Sequence, residues 1–169
     1  MFFSFPRAIG FPHREIVHSE QEMLAKINRN NGIKNCYVSL YSFDVKNHEY
    51  DFVNTRFDKI FFDLDSKSSH EDVKKMHEIL KSLDIRHVVV FSGRGFHVYV
   101  ATKHTTLKNS KAAVANAQKK VAEECGLVLG ESKEANLDQH VVGDTSRITR
   151  FPYTMNLRSK LYCIYLSND

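Results

Sequence analysis

The chain reads as one α+β domain: a ferredoxin-like or RNA-recognition-motif-like (RRM-like) βαββαβ core behind an N-terminal αββ extension. Three observations predict this. The length of 169 residues supports a single hydrophobic core. From Lys59 onward, apolar periods of two and of 3.6 residues alternate in the order β, α, β, β, α, β. A short glycine turn, Ser92-Gly93-Arg94-Gly95, separates two apolar runs rich in β-branched and aromatic residues.

The elements follow in order. Ser19 with Glu22 three residues later has the form of a capping box, and Met23, Leu24 and Ile27 continue at helical spacing to about Asn30. Cys36 to Phe43 and Glu49 to Val53, on either side of an Asn47-His48 interruption, predict a hairpin. Ile60, Phe62 and Leu64 alternate through a central strand that ends near Asp65. Ser68 and Glu71 suggest a second capping box, with Val73, Met76, Leu80 and Leu83 as the apolar stripe of its helix. His87 to Phe91 and Phe96 to Ala101 are strands. Asn109 to Cys125 is a helix with Val114, Ala117 and Val121 inward, stopped at Gly126. Strand-like sequence returns around His140, Ile148 and Leu161 to Leu166. Residues 1–169 are therefore expected to form one domain, with an N-terminal αβ module over 1–57 and an RRM-like module over 58–169. Helices on one sheet face leave the other free for a ligand.

Composition excludes some classes. Hydrophobic residues at 42% and charged residues at 26% are ordinary globular proportions, and no window nears the roughly 20 apolar residues of a membrane span. The apolar start Phe2-Phe3-Ser4-Phe5 breaks at Pro6 and Arg7, too soon for a secretory signal. A cytoplasmic protein is expected, nuclear residence being open in a eukaryote, with no membrane partner. Cys36, Cys125 and Cys163 are far apart and odd in number, so neither a disulfide framework nor zinc is expected. A net charge of +4 and a pI near 8.9 suit a polyanionic partner without requiring one.

Three clusters carry chemistry. In Asp63-Leu64-Asp65 the strand period puts both carboxylates on one face, with Cα atoms about 6.6 Å apart. Such a pair resists burial unless a cation joins it, and hard oxygen ligands favour Mg2+ or Mn2+. The same tripeptide also occurs as a solvated turn, and both readings stand at this point. Ser92 to His97 brings backbone amides, a hydroxyl, the Arg94 guanidinium and a His97 ring nitrogen to one turn, where phosphate is a natural guest. An ordinary glycine turn with a surface arginine has the same composition. The third cluster runs from Asp138 through Asp144, Arg147, Arg150 and Phe151 to Asn156, followed by Arg158 and Lys160. A carboxylate near two arginines serves either a structural ion pair or a site.

Taken together, Asp63-Leu64-Asp65, the Ser92 to His97 turn and the Asp138 to Asn156 stretch resemble, in order, spacing and residue type, the three motifs of the archaeo-eukaryotic primase superfamily. The resemblance covers roughly Lys59 to Lys160. It implies a primase-polymerase catalytic core that adds an NTP or dNTP to a primer 3′-hydroxyl on a DNA or RNA template by two-metal catalysis. By position, Asp63, Asp65 and Asp138 are the implied catalytic carboxylates and metal ligands. Ser92 and His97 are implied to contact the nucleotide phosphates, Arg150 matches the basic triphosphate contact, and Arg94, Arg147 and Asn156 complete the implied nucleotide site. Asp138 is preferred over Asp144 because it stands twelve residues before Arg150, and because Gly143-Asp144-Thr145-Ser146 has turn composition. Asn156 stands where replicative subunits commonly carry histidine, so the resemblance points to a minimal core nearer plasmid, viral or CRISPR-associated enzymes. An accessory primase subunit or a helicase is a partner the family suggests, and extension is expected to exceed de novo initiation. The rival readings are a noncatalytic single-stranded nucleic-acid or nucleotide-binding module and a two-metal nuclease.

Overall fold

A computed structural model describes residues 4–11, 13–46, 49–108, 110–130 and 137–166. The strands are β1 (Arg7–Gly10), β2 (Arg14–Val17), β3 (Tyr37–Ser39), β4 (Ser42–Lys46), β5 (Glu49–Leu64), β6 (His87–Phe91), β7 (Phe96–Lys108), β8 (Leu129–Gly130), β9 (Leu137–Asp138), β10 (Ile148–Arg150) and β11 (Ile164–Leu166). The helices are α1 (Glu20–Asn30), α2 (Ser69–Ser82) and α3 (Lys111–Glu124), with a 3-10 turn over Gln139–Val141. The expected Asn47-His48 interruption and the start of α3 at Asn109 lie outside the described residues.

The strands form an antiparallel five-stranded sheet in the order β11-β6-β7-β5-β4, an antiparallel four-stranded sheet in the order β10-β3-β1-β2, and a parallel β8-β9 pair. The class is α+β, and the run β5-α2-β6-β7-α3 keeps the expected order. Beside it, β4 covers the free edge of β5 and β11 extends the sheet at β6. The predicted hairpin forms in part, with β4 pairing antiparallel to the start of β5. Cys36 to Phe43 splits at Leu40-Tyr41 into β3, which joins the four-stranded sheet, and β4, which joins β5. β5 is a single sixteen-residue strand, and its pairing with β7 shifts register between Phe57 and Lys59, where the border between the modules is expected. β1 and β2, short and flanked by Pro6 and Gly10, carried no alternation long enough to predict them.

The period of two sets what each sheet face buries. Phe62, Leu64, Val98 and Val100 pack with Val73, Met76 and Leu80 of α2 and Ala122 of α3. The opposite face carries Phe61, Val90 and Tyr99, packed with Leu40, Tyr41, Val114, Val141 and Cys163. Met23 and Ile27 of α1 close a third cluster with Ile9, Val17 and Val38. The second face is therefore not bare: the β3-to-β4 corner and the start of α3 cover it, leaving the end of β5 and the start of β7 for a site.

The helix ends and stripes refine the expectations. At α1 the Ser19 hydroxyl accepts from the Glu22 amide at 3.2 Å and the Glu22 carboxylate accepts from the His18 amide at 2.9 Å, a reciprocal cap. At α2 the expected box does not form, because the Ser68 hydroxyl instead donates to the Asp72 carboxylate at 2.6 Å. Leu24 and Leu83 are exposed, the latter as the residue that ends α2. In α3 the fully buried stripe is Val114, Gln118 and Ala122; of the expected inward residues, Val121 packs partly buried against the core and Ala117 is only half-buried. Gln118 is inside because its amide is fully used, donating to Phe61 O and Val141 O and accepting from the Gly143 amide. All three cysteines are buried free thiols.

Candidate active site

β5 delivers Asp63 on the face opposite Phe62 and Leu64, and register places it directly across from His97 of β7. Asp63 Oδ1 lies 3.8 Å from His97 Nε2, and its Oδ2 lies 3.5 Å from the Arg147 guanidinium. Burial raises the Asp63 carboxyl to about 6, helped by the charges of Asp65 and Asp138 and opposed by Arg147. Burial, with Arg150 and Arg147 adding to it, lowers His97 to about 3, so this imidazole is neutral at physiological pH. The Asp63–His97 contact is then a polar contact between a carboxyl group and a neutral ring, not an ion pair, despite its distance.

The tautomer of His97 follows from its surroundings. Nδ1 has the Thr149 hydroxyl at 3.2 Å and the Tyr99 hydroxyl at 3.4 Å, and those two hydroxyls are 3.1 Å apart. Tyr99 is buried and its phenol is driven upward chiefly by that burial, so it stays a donor. A hydroxyl donating to Nδ1 leaves the ring proton on Nε2, where the Asp63 carboxylate also favours it and where it points into the cleft.

Asp65, just past β5, pairs with Arg94 at 3.3 Å. Asp138, at the end of β9, accepts from the His140 amide through Oδ1 at 2.8 Å and lies 3.5 Å from Arg147 through Oδ2. β9 is only two residues long and passes straight into the 3-10 turn, so the expected continuation of a strand through His140 is replaced by an exposed turn. Asp144 accepts from the Ser146 amide and hydroxyl at 2.9 and 2.8 Å, the self-bonded turn its composition implied.

The Ser92 to Gly95 turn is shaped by close approach. A Cβ on Gly93, whose φ is +89°, would sit 2.7 Å from the Asn156 Cβ, and one on Gly95 would strike the Asp65 carboxylate and the Leu64 carbonyl. The Ser92 hydroxyl is engaged inside the turn, donating to Gly95 O and accepting from the Gly95 amide, both at 3.1 Å. Asn156 donates to Ser92 O at 3.3 Å and locks the turn against the C-terminal hairpin.

Arg150 comes from the other sheet, on β10 beside β3. It donates to Asn35 Oδ1 at 2.8 Å and to the Tyr37 hydroxyl at 3.2 Å, and lies 5.0 Å over the Tyr37 ring. Asn35 and Tyr37 are the residues sequence reasoning missed, because no spacing in the β3 region signals an orienting shell for a side chain more than a hundred residues away. Thr149 and Tyr99, behind His97, escaped for the same reason. Arg14, on β2, donates to Ser146 O at 2.9 Å and supports the loop that carries Arg147.

Asp63, Asp65, Ser92, Arg94, His97, Arg147, Arg150 and Asn156 line one open cleft of about 340 Å3, with Arg158 at its rim. Asp138 joins them through Arg147 rather than as part of the cleft wall. Among the described residues, no three His, Cys, Asp or Glu side chains are gathered closely enough to form a ready-made metal cage. Arginines stand between the carboxylates instead. The donor chemistry is that of hard oxygen ligands: the Asp63 and Asp65 carboxylates line the cleft, and burial disfavours the charged form of Asp63.

No family model and no curated protein matches the sequence. Solved structures do match. A polymerase domain from Mycobacterium tuberculosis ligase D, in complex with DNA, superposes with a TM-score of 0.54 at 15% identity over 79% of this chain and 52% of that one. The chain thus spans about half the length of that relative. The archaeo-eukaryotic primase domain of the cyanophage S-2L primase-polymerase superposes with a TM-score of 0.57 at 10% identity, over 97% of this chain and 80% of that one. At these identities the likeness is one of architecture, and the chain has the fold of archaeo-eukaryotic primase domains.

Proposed function

We propose that the chain is a template-directed nucleotidyltransferase of the primase-polymerase kind, joining an NTP or dNTP to a primer 3′-hydroxyl with release of pyrophosphate. The observation that carries this reading is the composition of one cleft: a carboxylate pair at the end of β5 and a neutral histidine donor on β7, with Arg147 and Arg150 beside them. A nuclease has use for the acids but less for a buried phosphate donor and an oriented arginine. A passive binding module has no use for a carboxylate held at raised proton affinity.

Asp63, Asp65 and Asp138 are the residues that would hold Mg2+ or Mn2+. Such ions, when bound, supply acidification of the primer hydroxyl and neutralisation of the departing pyrophosphate. The remaining chemistry belongs to the chain. His97 Nε2–H donates to a phosphate oxygen without bringing a charge of its own, its ring fixed by Thr149 and Tyr99. Arg150, preset by Asn35 and Tyr37, meets the triphosphate charge that grows in the transition state. Arg147 lies 3.5 Å from both Asp63 and Asp138, and with a divalent cation held by those carboxylates it would be available to phosphate.

The test is a labelled primer-template incubated with the chain, nucleotides and Mg2+ or Mn2+. Extension that disappears in Asp63→Asn and Asp65→Asn supports the proposal. Shortening of the primer identifies a two-metal nuclease, and binding without either change identifies a noncatalytic module; both outcomes reject it.

A further inference from the structure

From Thr145 to Leu166 the chain has four basic residues and no acidic one. Arg147 and Arg150 lie within the cleft, whereas Arg158, at its rim, and Lys160 are exposed on the hairpin that leads out of it. That hairpin is closed by two backbone bonds, Asn156 N to Leu161 O and Lys160 N to Asn156 O, both 2.8 Å. It is anchored in the cleft at one end by Asn156 and opens at the other onto apolar surface. Tyr162, opposite Met155 in an antiparallel bridge, is 49% exposed, and Leu161 and Ile164 beside it are exposed too.

Tyr153 adds a second ring. It is 64% exposed yet held at φ +63°, a conformation that costs a bulky side chain on the order of 1 kcal/mol and persists only when its surroundings enforce it. They do so from three sides. Its amide donates to Cys163 O at 2.6 Å, its carbonyl accepts from Asn31 Nδ2 at 3.1 Å, and its ring meets the edge of Tyr165 with centroids 5.6 Å apart. Asn31 also accepts from the Met155 amide at 2.9 Å. The constrained backbone thus leaves the Tyr153 ring packed along one edge on Tyr165 and otherwise open to solvent.

We infer that the exposed hairpin carrying Tyr162, with Arg158 and Lys160, is a stacking platform for an unpaired nucleic-acid strand running past the cleft. The inference rests on the proposed function for its partner class, and on charge complementarity and continuity with the cleft for its place. Flat rings accept any base by stacking, and interleaved cations follow the phosphate backbone, the combination that single-strand binding requires. A protein partner for an apolar patch has no need of two cations that form no ion pair among the described residues.

The test is fluorescence anisotropy of the 169-residue chain with a labelled single-stranded oligothymidylate, without nucleotide or divalent metal. Tyr162→Leu preserves apolar area and removes the ring; it is expected to weaken binding about tenfold, within the range for loss of one stacked base. Tyr162→Phe is expected to bind like the wild type, and thermal melts of both variants exclude a folding defect. Arg158→Gln with Lys160→Gln is expected to flatten the dependence of log affinity on log salt by about 1.4, two phosphate contacts on a single strand. Equal affinities for the Leu and Phe variants overturn the platform, as does a Tyr162-dependent dimer in sedimentation, which would assign the face to a second copy of the chain. Because the readout needs no catalysis, the two proposals fail separately. A chain that binds through Tyr162 but never extends a primer loses only the proposed function, and one that extends while Tyr162→Leu binds normally loses only this inference.

Discussion

Asp63 and His97 face each other across the β5–β7 ladder, and burial pushes both toward their neutral forms. For Asp63 this has a measurable consequence in the metal-free chain. Its folded carboxyl titrates near 6 against an ordinary 3.8, so the folded state holds the proton more tightly than the unfolded one. The resulting stability is fully present below pH 3.8 and is lost as the pH rises through about 6. The loss is on the order of 2 to 3 kcal/mol. Asp63→Asn should therefore raise the metal-free melting temperature at pH 7 and flatten its fall between pH 4 and 7. Added Mg2+ or Mn2+ should raise the wild type more than the variant. A variant less stable than wild type at pH 7 would show that Arg147 already compensates the charge. For His97 the expectation concerns use of nucleotide. His97→Ala should lower kcat/KM for nucleotide by roughly ten- to a hundredfold, the worth of a hydrogen bond to a charged group at about 1.5 to 3 kcal/mol. Template affinity should hold, and His97→Gln, which keeps a donor, should recover part of the loss. Equal losses in nucleotide and template affinity would make His97 a packing residue. Asp63 and His97 were visible in the sequence because strand alternation isolates them from apolar neighbours. The Tyr99–Thr149 pair behind His97 was not, since a tyrosine and a threonine in strands look like ordinary β-formers until the two sheets are brought together.

At the scale of elements, the Ser92 to Gly95 turn converts register into a site. Gly95 lies against the end of β5, where a side chain would strike both Leu64 O and the Asp65 carboxylate. Gly95→Ala must then either spread β5 from β7 or move Asp65. The expected cost is about 1 to 3 kcal/mol, that of forced overpacking, with a drop in metal-supported activity beyond what the lost stability explains. Denaturant midpoints beside extension rates check this, and unchanged values for both would mean that β5 ends more loosely than its contacts imply. This turn, the central strand and α2 were legible because each is local: a glycine pair between apolar runs, a period of two, a period of 3.6. The strands that failed to show themselves were short ones whose partners are remote. β1 meets β3 across some thirty residues of sequence, and β10 meets β3 across more than a hundred. Cys36 to Phe43 looked like one strand because composition does not mark the corner at Leu40-Tyr41, which is decided by the Leu40 amide bonding to Arg147 O at 2.9 Å. In α3, a glutamine occupied a core position that hydropathy assigned to its neighbours.

At the scale of the whole molecule, the cleft is where the two sheets and the β8-β9 pair converge, and Arg147 is the side chain that spans them. Its guanidinium lies 3.5 Å from Asp63 on the five-stranded sheet and 3.5 Å from Asp138 on β9, while its carbonyl ties to Leu40 beside β3. That placement separates the two aspartates near the end of the chain. Asp138 shares a cation with Asp63 and raises the Asp63 carboxyl, so it belongs electrostatically to the cleft. Asp144 spends its carboxylate on Ser146 and has no part in that exchange. Asp138→Ala should abolish extension with both Mg2+ and Mn2+ and change the metal-free melting temperature little, because losing one of several like charges offsets losing its contact with Arg147. Asp144→Ala removes two turn hydrogen bonds, each worth roughly 0.5 to 1.5 kcal/mol, and should keep substantial activity. Extension rates of the two purified variants, with melts recorded with and without metal, decide between them. A folded Asp138 variant that extends primers normally beside a dead Asp144 variant would place the third carboxylate on the loop before Arg147, and the roles given to Arg147 and Arg150 would have to be assigned anew.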